Sequence, residues 1–174
     1  MTAPEFSRIE RVDTIGAEPR AVTIDADAAE RTALARRFDL VAIDRLTGTF
    51  TLRRDAAGIV AEGRVQAAVT QACSITGDPI AATVDEPVAL RFVEASESGV
   101  DEVELADGDL DVIACDGGAI DLGETASETM ALALDPFPRG PGAEAALRDA
   151  GVLSEEEAGP FGALAALKDK LAGR

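Results

Sequence analysis

The sequence predicts an α+β domain. Its centre is a twisted antiparallel sheet, open or partly closed into a barrel, packed by two or three helices and followed by a helical tail. Three observations carry that prediction. Period-two alternation runs through three successive segments between residues 40 and 93. Short turns separate these segments, and neighbours joined by short turns pair antiparallel. Helical patterns with capping acids flank the block at 26–37 and 121–134. The chain has 174 residues, enough for one domain, residues 1–142, with a helical tail over 143–174 docked on it. Val, Ile, Leu and Phe total 43, which supports a true core, whereas 34 alanines keep that core lean.

The elements follow in order. Arg20–Asp25 places Val22 and Ile24 on one face and reads as a short strand. Asp25 or Asp27 then caps a helix to about Arg37, with Ala28, Ala29, Leu34 and Ala35 toward the core. A strand over 40–54 is expected to break at Leu46-Thr47-Gly48, and 55–58 forms a turn. The clearest strand is 59–70, with Ile59, Ala61, Gly63, Val65, Ala67 and Val69 on one side. The next, 80–93, carries Glu86-Pro87, so a bulge or an edge position is expected there. Residues 96–118 read as an acidic loop with one short strand near 110–113. A helix from Ile120-Asp121 to about Leu134 follows, with Asp121 and Glu124 at the spacing of a variant capping box. Its apolar stripe is Leu122, Ala126, Met130 and Ala133 or Leu134. Proline and glycine end it in an irregular loop over 135–142. The tail holds two helical turns at 143–150 and a second helix at 160–171 bearing Phe161, Leu164, Leu167 and Leu171.

Composition excludes several chemistries. With no His, triads built on His, imidazole metal sites and His proton relays cannot form. Two cysteines 42 residues apart do not make a zinc site. The pattern Asp107-Gly-Asp109-Leu-Asp111 begins like a calcium loop, but Val112 stands where glycine is required and Gly118 where glutamate is required. Gly-rich phosphate loops are absent. No catalytic residue, cofactor or metal is therefore expected, and the protein reads as a non-enzyme. The first sixteen residues hold no apolar run, which argues against a signal peptide, and no segment is apolar enough to span a bilayer. The expected location is the cytoplasm, away from membranes.

Charge is the strongest signal. The formal net charge is −17, yet residues 1–54 are neutral, with nine Arg against nine acids. From Glu94 to Glu128 there are twelve acids and no base. Such a surface repels phosphate backbones and favours basic partners. Asp101, Glu102, Glu104, Asp107, Asp109 and Asp111 form its densest stretch. An acidic excess that merely maintains solubility explains the same residues. Cys73-Ser-Ile-Thr76 lies where a strand runs out before Gly77-Asp78-Pro79. A half-buried cysteine closing that strand is the simpler reading, because no nearby cation or helix start activates the thiol.

Three segments, taken together, resemble one family. They are Val69–Ile80 with Cys73, Thr76 and Pro79; Asp121-Leu122-Gly123-Glu124 followed by Pro136-Phe137-Pro138-Arg139; and Pro160-Phe161 with Leu164. In this order they resemble the YceD family, bacterial and plastid proteins linked to accumulation of large-subunit ribosomal RNA. The resemblance spans about residues 40–172. It implies a cytosolic, non-catalytic factor in ribosome biogenesis. Family members are commonly encoded beside a small basic large-subunit ribosomal protein, which makes such a protein, or the assembling particle, the expected partner. Many members have Cys-x-x-Cys where this chain has Cys73-x-x-Thr76, so any zinc site of those relatives does not carry over. Two other classes share parts of the evidence: a metal-dependent hydrolase using the acidic 101–111 loop, and a nucleic-acid mimic whose carboxylates stand in for phosphates.

Overall fold

The computed structural model describes residues 4–94, 111–115 and 118–152. These belong to two compact units: Met1–Gln71 with Ala81–Pro136, and Ala72–Ile80 with Phe137–Arg174. The predicted helix at 160–171, with Pro160, Phe161 and Leu164, lies outside the described residues. So do Asp101, Glu102, Glu104, Asp107 and Asp109.

The first unit is built on a five-stranded sheet in the order β2-β3-β4-β5-β6. Its strands are β2 (Arg20–Asp25), β3 (Ala42–Asp55), β4 (Gly58–Ala72), β5 (Pro79–Glu94) and β6 (Asp111–Cys115). A second, two-stranded sheet pairs β1 (Ile9–Arg11) with β7 (Ala119–Asp121), antiparallel. Helices α1 (Ala28–Arg37) and α2 (Leu122–Ala133) both contact β3. A shared apolar core joins Phe6, Val12 and Ile15 to Leu34, Phe50, Leu52, Val65, Phe92, Leu122 and Met130. Ala26, Ala61, Ala67 and Ala126 are buried within it, whereas most described alanines are at least partly exposed.

Several expectations are corrected. The five-stranded sheet is mixed, because β6 runs parallel to β5 with Leu90 opposite Asp111 and Glu94 opposite Cys115. The sixteen residues between them, 95–110, give the chain room to return in the same direction, which a tight turn does not. The sheet ends at β2 and β6 and is not closed into a barrel. No break occurs at Leu46-Thr47-Gly48. The Phe50 ring lies over Gly48, where a Cβ would come within 2.5 Å of its Cε2, and the irregularity falls instead between Ile43 and Arg45. The expected edge position is found at Glu86-Pro87: it lies within a continuous β5, on the stretch that β6 does not reach, so proline's missing N–H costs no ladder bond on that side.

At the helices, Asp27 rather than Asp25 caps α1, and it forms a true capping box. Its carboxylate accepts from the Ala29 and Glu30 amides while Glu30 accepts from the Asp27 amide at 2.8 Å. Leu34 and Ala35 are buried on α1, whereas Ala28 and Ala29 face solvent. Residues 119–121 belong to β7, so the second helix starts at Leu122, and Ala133 is exposed.

Candidate functional site

The predicted motif residues fall into two clusters, one in each unit. In the first unit, Asp121 ends β7 and caps α2. Its Oδ1 accepts from the amides of Gly123 (2.9 Å), Glu124 (3.3 Å) and Arg8 (2.7 Å), and Oδ2 accepts from the Ser7 hydroxyl (2.6 Å). The expected capping box does not form here. Glu124 instead meets the Arg37 guanidinium at 2.5 and 2.9 Å, and Arg37 also reaches Glu5. Those carboxylates push the Arg37 pKa up. Leu122 is fully buried. Asp121, Leu122 and Glu124 therefore tie the N-terminal segment and α1 to α2. Gly123, between them, has a role that sequence reasoning missed: a Cβ there would lie 2.5 Å from the Phe6 carbonyl oxygen.

A second carboxylate–guanidinium pair supports the same corner. Arg8 donates to both oxygens of Glu30 at 2.7 and 2.9 Å, and this contact holds the Glu30 carboxyl below its ordinary value.

In the second unit, the turn after β4 is closed by its own backbone. The Cys73 amide donates to Asp78 at 2.8 Å and the Gly77 amide to the Cys73 carbonyl at 2.9 Å, with Gly77 at φ +75°. Thr76 secures it through its side chain: its hydroxyl donates to Asp78 Oδ2 at 2.7 Å and accepts from the Asp78 amide at 3.3 Å. Residues 137–140 come alongside. The Ser74 amide donates to the Pro138 carbonyl at 2.8 Å, and the Gly140 amide to Cys73 Sγ at 3.3 Å.

Cys73 is only 3% exposed, and its sulfur also accepts from the Thr76 amide at 3.5 Å. These donors favour the thiolate, with Gly140 contributing most, and lower the Cys73 pKa to about 6. No cation and no helix start is required. Gly140 lies 67 residues away in sequence, and a glycine in a Pro-rich loop carries no periodic signal to reveal it. Around this turn Ile75, Phe137 and Arg139 are exposed, Phe137 to 71%. Pro79 begins β5 and Pro136 lies in the irregular stretch after α2.

The acidic stretch is described only in part. Of its acids with described side chains, Asp111 and Glu128 are exposed, whereas Asp121 and Glu124 are engaged in the cap and the ion pair. Among the described residues no cluster of three or more His, Cys, Asp or Glu side chains is placed to hold a metal ion. Cys115 is buried at the end of β6. Among the described residues, no helix is long and apolar enough to cross a membrane.

Comparison with known families settles the lineage. Residues 61–168 match the family model described as large ribosomal RNA subunit accumulation protein YceD. The chain belongs to the YceD family. The match begins inside β4 and takes in the Cys73 turn, α2 and the Pro136–Arg139 loop, so both clusters of motif residues lie within it. The family's description ties the YceD fold to accumulation of large-subunit ribosomal RNA. No curated protein and no solved structure matches the chain.

Proposed function

We propose that this YceD protein is a non-catalytic ribosome biogenesis factor. It supports accumulation of large-subunit ribosomal RNA by holding a basic ribosomal protein, or a basic patch of the assembling particle, on its acidic surface. The observation that carries this reading is the charge distribution. Residues 1–54 balance, and the whole net charge of −17 comes from the remainder, with twelve acids and no base between Glu94 and Glu128. The arginines of the first unit do not offset that field, because most sit in ion pairs of their own: Arg8 with Glu30, Arg11 with Asp13, Arg20 with Glu10, Arg37 with Glu124, Arg53 and Arg91 with Asp55, and Arg64 with Asp85.

An acidic surface with its counter-charges already used attracts cationic proteins and speeds their encounter, and it repels free RNA. Family membership and this charge together support that choice of partner. The exposed Phe137 and, in the sequence, Phe161 supply apolar anchors at the ends of the motif.

Replacing Asp101, Glu102, Glu104, Asp107 and Asp109 together by Asn or Gln tests the proposal. Binding to purified basic large-subunit ribosomal proteins is measured by calorimetry across a salt series. The variant is expected to bind more weakly and with a flatter salt dependence. Unchanged affinity at low salt contradicts the reading.

A further inference from the structure

We propose that the groove between α1 and the start of β3 is a docking site for an acidic peptide segment of a partner protein, anchored by an aliphatic or aromatic side chain. The groove has a volume of about 360 Å³, and none of its lining residues belongs to either motif cluster. Ala28, Thr32 and Ala35 form its α1 side. At 100° per residue, Arg31 and Arg36 flank that side on opposite edges. Leu40, Val41 and Ile43 form the facing wall, and Val41 is 57% exposed.

Charge complementarity names the occupant. In a chain of net charge −17, this groove has aliphatic side chains along its walls and a guanidinium on each edge. Arg36 is exposed and has no hydrogen bond or ion pair among the described residues, unlike its neighbour Arg37. Arg31 spends one Nη1 hydrogen on the Ala26 carbonyl at 2.5 Å, which fixes its guanidinium beside the groove. A carboxylate-bearing segment can pair with both edges while its apolar side chain covers Val41 and Leu40.

RNA fits less well. Single strands bind on aromatic stacking platforms within positive channels, and no aromatic side chain lines this groove.

The test is selection of a random short-peptide display library on the full chain, followed by affinity measurement with a synthetic copy of the winning peptide. Selected peptides are expected to pair Asp or Glu with Leu, Ile, Met or Phe. Arg36→Glu and Val41→Ser are each expected to weaken binding roughly tenfold, the scale of one lost charged contact. Arg11→Glu, an equal charge change outside the groove, is expected to leave it unaltered. All three positions are exposed, so matching melting curves establish that the variants fold. Basic peptides retained by the acidic surface survive Arg36→Glu, so failure of the groove and failure of the acidic-surface reading are separable. Absence of acidic enrichment, equal loss with Arg11→Glu, or Arg36-dependent binding of an RNA oligonucleotide in place of the peptide overturns the proposal.

Discussion

Cys73 shows how a residue acquires chemistry that its neighbours in sequence do not give it. Backbone amides from Gly140 and Thr76 meet a buried sulfur, and the thiol pKa falls from its ordinary 9.0 to about 6. A lowered thiol pKa stabilises the folded chain above the unfolded value, and that contribution is lost as pH falls through about 6. The stability difference between the wild type and Cys73→Ala should therefore rise from pH 6 to pH 9, read by denaturant titration. A difference flat with pH contradicts the assignment. Thr76 holds the same turn through Asp78. Thr76→Val removes that hydroxyl and leaves Asp78 without its partner. It should cost about 1 kcal/mol, seen as a lower Tm, and an unchanged Tm counts against the role.

At the scale of elements, the sequence was legible where one periodic pattern met one local cap. Strands β3, β4 and β5 emerged from alternation, and Asp27 and Asp121 were both within the capping signals. Glu124 misled because its spacing suited a capping box, whereas a guanidinium 87 residues away outcompeted the local amide. β1 and β7 escaped because three-residue strands carry no period, and β6 ran parallel because a long connection, not a turn, precedes it. Gly123 shows the same limit. Helix propensity favours alanine there by about 1 kcal/mol. A Cβ, however, would lie 2.5 Å from Phe6 O and 3.0 Å from the Arg8 amide, and backbone cannot move as a side-chain tip does. Overpacking of this kind costs about 1–3 kcal/mol. Gly123→Ala should thus lower stability despite its better propensity; a stabilised variant would mean that the segment around Phe6 is free to shift.

Over the whole molecule, charge is divided by role. The N-terminal half spends most of its arginines on ion pairs, Arg36 not among them, and the acids that remain lie toward the other half. The Cys73 turn was legible as a motif and as a strand end. Its partner loop was not, because the contact joins Cys73 and Ser74 to Pro138 and Gly140, and on the loop side it uses only backbone groups that every sequence possesses. The acidic stretch was legible from composition alone, although Asp121 and Glu124 within it turn out to be structural. Family membership points to the process, and the proposed partner rests on the charge. Affinity capture of the tagged chain from its own lysate at near-physiological salt, with and without RNase, tests that union most directly. The account predicts retention of a basic large-subunit ribosomal protein that survives RNase treatment. A capture containing no ribosomal protein under either condition would contradict it.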